Sequence, residues 1–184
     1  MYHSKEFWII LKQSNTLKEI DRQIAFLSFG SNIGNSREII NNAIKYLNDI
    51  ELLDICKVSS FYLTEPWGIR NQNWFYNLVA MVETHLSAFE LITFSKTIEI
   101  YLGRQVRPKW EERELDIDLL FYGNLILQSS KITIPHPQIE NRRFVLEPMD
   151  EIAPDFIHPV RDISIHQILL NCKDKSKVIR ENEF

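Results

Sequence analysis

Arg113-Glu114-Leu115-Asp116-Ile117-Asp118-Leu119-Leu120-Phe121-Tyr122 reads with the two-residue period of a strand. In that period Leu115, Ile117, Leu119 and Phe121 fall on one face, and Asp116 and Asp118 fall together on the other. The first face calls for a core. The second holds two carboxylates about 7 Å apart, a spacing that is repulsive in isolation but suited to sharing hard cations that bridge to phosphate oxygens. The same D-x-D pattern arises wherever a half-buried strand shows a polar face to water, so the pair alone leaves both readings open. Arg113 beside it, and a histidine and arginines further along, favour the divalent-metal reading.

Immediately upstream lies a basic loop, Arg104-Gln105-Val106-Arg107-Pro108-Lys109-Trp110. Positive charge next to paired acids is what a nucleoside triphosphate with bound magnesium requires. Before that loop, Ser87-Ala88-Phe89-Glu90 is a capping box. It opens a helix whose Leu91, Phe94, Ile98, Tyr101 and Leu102 form the buried side and which ends at Gly103. Glu99 sits near its C-terminus, where the helix dipole disfavours a carboxylate. Downstream, Gly123-Asn124 turns into Leu125-Ile126-Leu127 and Ile132-Thr133-Ile134, which read as a hairpin. Pro135-His136-Pro137 then fixes the backbone around an imidazole, and Asn141-Arg142-Arg143-Phe144 adds two guanidiniums suited to phosphate.

Further out, residues 23–29 are apolar on both faces apart from Ser28, as in a central strand. Gly30-Ser31-Asn32-Ile33-Gly34 follows as a turn without a phosphate-loop signature, and Asn35 or Ser36 can cap a helix carrying Ile39, Ile40, Ala43, Ile44 and Leu47. Residues 52–62 read as a strand, Thr64 to Asn73 as a loop, and Trp74 to Thr84 as a strand with Phe75 and Asn77 on one face. Pro148 and Pro154 are expected to break residues 146–157. Ile165 to Cys172 reads as a short amphipathic helix before a charged tail. Residues 1–21 have no clear period, so the expected division is an N-terminal extension over 1–21 and one domain over 22–184.

With 184 residues the chain can bury about 70% of its unfolded surface. Lys+Arg 21 against Asp+Glu 25 gives a net charge of −4, which excludes the global basic field of many nucleic-acid binders. Cys56 and Cys172 stand at no zinc-ligand spacing and fit a reducing compartment. No apolar run approaches the roughly 18 residues of a membrane span, and Phe7 to Leu11 is too short for a signal-peptide core. A cytoplasmic protein bound to neither membrane nor nucleic acid is expected.

Five motifs now stand in order: Gly30-Ser31-Asn32, Ser59-Ser60-Phe61-Tyr62, Gly103-Arg104, Arg113 to Asp118, and Pro135-His136 with Asn141-Arg142-Arg143-Phe144. Together they resemble the 6-hydroxymethyl-7,8-dihydropterin pyrophosphokinase family of folate synthesis, over about Ile24 to Cys172. The resemblance implies an α+β, ferredoxin-like core with a mainly antiparallel sheet and helices on its faces. It implies transfer of pyrophosphate from ATP to the hydroxymethyl group of the reduced pterin, with release of AMP. By the same resemblance Asp116 and Asp118 hold two Mg2+ ions, and Arg104 and Arg113 neutralise charge on the transferring group. The pterin falls to Thr64, Pro66, Trp67, Phe75, Asn77 and Phe144, where stacking contributes about 0.5–1.5 kcal/mol per aromatic pair beyond area burial. ATP falls to Lys96, Glu99, Lys109, Trp110, Leu119, Lys131, Thr133, His136 and Arg142, with Arg107 in the same group.

The chain departs from the family pattern at Glu111, where a small residue is usual, at Phe75 in place of a tyrosine, at Pro137 in place of an aromatic, and in a basic loop one residue shorter. The resemblance implies ATP and the reduced pterin as partners. A monomer is expected, with oligomers left open, and the chain is too short for a second catalytic domain. Two other readings stand beside this one. A nucleotidyltransferase also uses a D-x-D pair, but its Gly-Ser turn lies close before the acids, whereas Gly30-Ser31 is far upstream of Asp116. A ferredoxin-like module that binds a nucleotide or pterin as a regulatory ligand would not need both acids, Arg104, Arg113 and His136 together.

Overall fold

Strand β1 (Gln23–Ser31), apolar on both faces, is central, with β4 (Phe75–Thr84) on one side and β5 (Asp116–Tyr122) on the other, both antiparallel. The computed structural model describes residues 22–49, 51–68, 71–108, 111–129 and 132–181, so Lys109, Trp110, Lys131 and the extension over 1–21 lie outside the described residues. Beyond β4 lie β2 (Leu53–Val58) and β3 (Tyr62–Thr64), two strands where the sequence reads one. The interruption falls at Ser59, whose hydroxyl accepts from Val79 N at 3.0 Å and whose own N–H reaches Val79 O at 2.9 Å. Thr64 therefore ends a strand instead of opening a loop.

One face of the sheet is covered by α1 (Ser36–Asn48) and α2 (Ala88–Tyr101). Leu27, Phe29, Ile40, Leu47, Leu91, Ile98, Ile117 and Leu119 meet there. The expected capping box holds α2, since Ser87 Oγ accepts from Glu90 N and Glu90 Oε2 accepts from Ser87 N at 2.8 Å. For α1 neither candidate cap acts as one: Asn35 instead donates to Glu38 at 2.7 Å, and Ser36 pairs with the Ser31 hydroxyl at 2.9 Å.

The other face is covered in part by α3 (Arg143–Ile152) and α4 (Ile165–Asn171), around Phe26, Val79, Leu120 and Phe121. Helix α3 runs through Pro148, contrary to the expected break. A proline inside a helix costs about 3 kcal/mol. Val145, Leu146, Met149 and Ile152 are all buried at helical spacing, at about 1.5–3 kcal/mol each, and that outweighs the lost hydrogen bond.

A second correction concerns β5. Phe26 pairs with Phe121 but Leu27 pairs with Leu119, so Leu120 is an extra residue in a β-bulge. Beyond it the alternation inverts, and Phe121 turns away from Leu119 to pack edge-on against Phe26, with ring centroids 6.2 Å apart. The hairpin forms as expected, from β6 (Leu127–Gln128) and β7 (Thr133–Ile134). The charged tail does not stay a tail: β8 (Val178–Arg180) adds antiparallel to β3 and becomes a sheet edge. Among the described residues no helix is long and apolar enough to cross a membrane.

Candidate active site

Helices α3 and α4 leave part of their face open, and a cleft of about 620 Å³ occupies it. Its floor follows from the pairing of three strands: Asp118 opposite Ser28, Asp116 opposite Gly30, and Gly30 opposite Asn77. Gly30 permits the close approach of its neighbour, because a Cβ there would lie 2.8 Å from Asn77 Oδ1. Asn77 is 3% exposed and donates to Thr64 Oγ1 at 2.7 Å, which fixes both side chains at one end of the cleft. Phe75 lies beside them, as the period-two reading expects.

The other end is a charge cluster in which Lys96, Arg104, Arg113 and Arg142 face Glu99, Asp116 and Asp118. Arg104 Nη1 lies 2.5 Å from Asp116 Oδ1 and 2.6 Å from Glu99 Oε2, while Arg113 donates to Asp116 Oδ2. Lys96 Nζ donates to Glu99 at 2.7 Å and to Ile117 O at 2.8 Å, and sits 3.7 Å from each aspartate. Burial alone would raise the Asp116 pKa, but Lys96, Arg113 and Arg104 outweigh it and hold the carboxyl at about 2. Burial likewise works against the Lys96 charge, and Asp118, Asp116 and Glu99 overcome it, so the ammonium titrates above its ordinary value. Asp118 is held more loosely, with Arg142, Lys96 and His136 at 3.6, 3.7 and 4.0 Å. Burial lowers the His136 pKa, partly offset by Asp118, so the ring is neutral at pH 7.

Glu99 is 2% exposed and lies beneath the cleft. Its Oε1 accepts from Ile117 N at 2.6 Å, so the carboxylate that the helix dipole disfavours is answered by a strand N–H, Lys96 and Arg104. Burial raises its pKa against those partners. Asn32 does for the loops what Glu99 does for the strand. Its Oδ1 accepts from Arg113 N at 2.8 Å, its N–H reaches Arg113 O at 3.0 Å, and its Nδ2 donates to Asn73 O at 3.1 Å. The segment before β5 and the loop before β4 are thereby tied to the end of β1. Arg107 makes a two-pronged pair with Glu114 at 2.7 and 2.6 Å, which holds Glu114 at a pKa of about 2.

Trp67 and Phe144 also line the cleft. The guanidinium of Arg142 lies 5.5 Å from the first ring and 5.8 Å from the second, within cation–π range of both. Its Nε is buried without a hydrogen-bond partner among the described residues.

Of the residues singled out from the sequence, the cleft brings together Thr64, Trp67, Phe75, Asn77, Lys96, Arg104, Arg107, Arg113, Asp116, Asp118, His136, Arg142 and Phe144. Pro66 lies beside Trp67 and lines a neighbouring cavity. Leu119 is packed in the core on the α1 and α2 side, and half-buried Thr133 pairs with Gln128 in the hairpin. Lys109, Trp110 and Lys131 lie outside the described residues. Sequence reasoning missed Ser28, Glu65, Glu111 and Gln138 in the lining. For Ser28 a signal existed: it is the one polar residue in an otherwise apolar strand core.

So much positive charge around two carboxylates, in a cleft that aromatic rings also line, is the chemistry of a transferase site for a phosphate-bearing substrate. Residues 26–154 match the model of the 7,8-dihydro-6-hydroxymethylpterin-pyrophosphokinase family, and the chain belongs to that family. A Haemophilus influenzae protein named 2-amino-4-hydroxy-6-hydroxymethyldihydropteridine pyrophosphokinase is 38% identical over 135 residues, covering 73% of this chain and 84% of its own. The Aquifex aeolicus protein of the same name is 39% identical, covering 73% and 83%. Among solved structures, wild-type Plasmodium falciparum HPPK-DHPS superposes with a TM-score of 0.65 at 16% identity, over 84% of this chain. An HPPK-DHPS solved with substrates gives 0.64 at 18% identity over 82%. This chain spans 45% and 43% of those two longer proteins, and the likeness establishes the ferredoxin-like α+β fold.

Proposed function

We propose that the cleft transfers pyrophosphate from ATP to the hydroxymethyl group of 6-hydroxymethyl-7,8-dihydropterin, yielding AMP and the pterin diphosphate. Membership of the pyrophosphokinase family supports the reaction. The observation that carries the site assignment is the pairing, in one cleft, of the Asp116–Asp118 cluster with the Thr64, Asn77, Trp67 and Phe144 slot. The slot takes the pterin: Asn77 and Thr64 offer polar atoms to the ring edge, and Trp67, Phe75 and Phe144 offer faces. Arg104, Arg113 and Arg142 bind and orient the phosphates, and His136, neutral at pH 7, donates or accepts a hydrogen bond without adding charge. No covalent nucleophile is required, because this chemistry is positioning plus electrostatics.

The donor set fits magnesium. Asp116 and Asp118 offer oxygen ligands on one face, and Asp118 has no partner within hydrogen-bond distance among the described residues. Among the described residues no group of three or more His, Cys, Asp or Glu forms a complete cage. That suits an ion that keeps several waters and takes its remaining ligands from phosphate oxygens. Two such ions held by Asp116 and Asp118 would neutralise the charge on the triphosphate. Arg104 and Arg113, which bond Asp116 in this structure, would neutralise charge on the transferring group. The unit at work is a single domain over 22–184, acting as a monomer in the cytoplasm.

The test is incubation with ATP, magnesium and 6-hydroxymethyl-7,8-dihydropterin, followed by separation of AMP from ADP. AMP formed in step with a pyrophosphorylated pterin is expected. ADP would mean ordinary phosphoryl transfer, and ligand binding with neither product would replace the enzyme with a regulatory module.

A further inference from the structure

Ser28 stands in the middle of β1, on the face that carries Phe26 into the α3 core and Gly30 into the cleft, and it lines the cleft floor. The residue is 7% exposed, yet its hydroxyl has no hydrogen-bond partner among the described residues. The other buried hydroxyls among those residues each have one. Ser31 pairs with Ser36 at 2.9 Å, Ser59 donates to Ser60 O at 2.9 Å, Thr64 accepts from Asn77 at 2.7 Å, and Thr84 and Ser95 donate to Leu52 O and Leu91 O at 2.9 Å each. A hydroxyl withdrawn from water without a bond is unfavourable, so its place in the floor of a binding cleft points to a ligand atom.

Strand register narrows the choice of ligand. Ser28 lies opposite Val79 on β4 and Asp118 on β5, so Asp118 is its polar neighbour across the sheet, with Cβ atoms about 4.5–5.5 Å apart in such pairs. The groups around Asp118 are donors. Lys96 and Arg142 have no atom that accepts a hydrogen bond. His136 Nδ1 accepts from Gln138 N at 3.2 Å, so the neutral ring carries its proton on Nε2, the atom 4.0 Å from Asp118. A magnesium ion keeps several waters, and those waters need acceptors. Ser28 Oγ supplies one on the floor beside Asp118, where Lys96, Arg142 and His136 supply none.

We propose that Ser28 is a positioning residue for the divalent ion at Asp118, accepting a hydrogen bond from a water that the ion carries. Outer partners of this kind orient a metal's ligands and are worth about 10–100-fold in metal affinity or activity. The inference rests on the reading of Asp116 and Asp118 as the magnesium site. Ser28 itself touches neither the ion nor the reacting atoms.

The experiment uses the full chain, S28A and D118N, with Mn2+ as the probe in saturating α,β-methylene-ATP, read by electron paramagnetic resonance against a protein-free nucleotide control. S28A is expected to raise the Mn2+ Kd about tenfold. Its unfolding midpoint without ligands should equal or exceed that of the parent, because the hydroxyl removed has no bond to lose. Its Kd for 6-hydroxymethylpterin, measured by calorimetry with nucleotide and enough magnesium to saturate both proteins, should stay within about twofold of the parent's. An unmoved Mn2+ Kd overturns the proposal. So does a Kd that rises together with a fall in the unfolding midpoint, which would place the hydroxyl among the fold's own bonds. Weaker pterin binding at saturating magnesium also overturns it, by giving the hydroxyl to the heterocycle. In each of these cases D118N, expected to lose the protein-dependent Mn2+ signal, leaves the metal assignment standing. If the unaltered chain shows no such signal, or D118N retains it in full, the assignment of Asp118 fails and the role of Ser28 with it.

Discussion

Asp116→Asn isolates one charge in the cluster without changing its shape. Asn mimics the protonated carboxyl, so the cost can be worked from the shift in titration. Asp116 ionises at about 2 in place of 3.8, because three cations outweigh its burial. At about 1.4 kcal/mol per pH unit, that difference gives about 2 kcal/mol of stability from the ionised form. The side chain is only 20% exposed, so screening by solvent takes little from it. Because the folded-state value is the depressed one, the contribution is complete above 3.8 and is lost as pH falls toward 2. For a chain of this size about 2 kcal/mol corresponds to a fall of about 4–8 °C in melting temperature. Scanning calorimetry of both proteins at pH 7 and at steps down to pH 3 should show that gap at neutral pH and a narrowing gap in acid, with pyrophosphoryl transfer by the variant abolished throughout. A variant as stable as the parent at pH 7 would refute the reasoning, for it would mean that Lys96, Arg104 and Arg113 gain nothing from the carboxylate they surround.

Gly30→Ala drives a methyl to 2.8 Å from Asn77 Oδ1, so the amide must leave its place beside Thr64. The pterin KM should rise about tenfold or more and stability fall by about 1–3 kcal/mol, read by steady-state kinetics and urea unfolding. Glu99→Ala strands Ile117 N–H, Lys96 and Arg104 without their acceptor and should cost about 3 kcal/mol in urea unfolding. Glu99→Gln keeps an acceptor oxygen and sheds a charge that burial disfavours, so it should cost distinctly less. The His136 ring should titrate below 6.5 when followed by NMR, since its burial outweighs the pull of Asp118. A midpoint at or above 6.5 would contradict that order of effects.

What the sequence made legible was local. A period of two set Asp116 and Asp118 on one face, and Phe75 and Asn77 on another strand's cleft side, because side-chain direction along a strand needs no knowledge of its neighbours. The capping box of α2 was readable for the same reason. Phe121 was misplaced because a bulge is a property of two strands: only the offset between Phe26 and Leu27 makes Leu120 supernumerary. Pro148 misled because its local cost is visible in the sequence while the burial that outweighs it belongs to the sheet beneath α3. Strand β8 escaped notice since Val178-Ile179-Arg180 is a strand only by virtue of β3, and the adjoining Lys177–Glu65 bond spans 112 residues. Asn32 read as a turn residue, and its hold on two loops depends on where β4 and β5 end. In the candidate site the charged residues of the Asp116–Asp118 cluster were nameable, but Glu65 and Glu111 were not, nor that Arg142 would reach two rings at once.

Strand β5 ends the sheet on its side, and an edge strand ordinarily offers its free N–H and C=O groups to any extended chain that meets it. Here side chains take the place of a neighbour. Glu99 accepts from Ile117 N, Lys96 donates to Ile117 O, and the backbone of His136 donates to Leu120 O at 2.9 Å. The groups gathered around the two aspartates therefore also keep this margin closed to strand addition by other molecules. Substitutions at Lys96 or Glu99 consequently open an adhesive edge as well as disturb the cluster, and self-association on a folded molecule is the form in which that loss would surface.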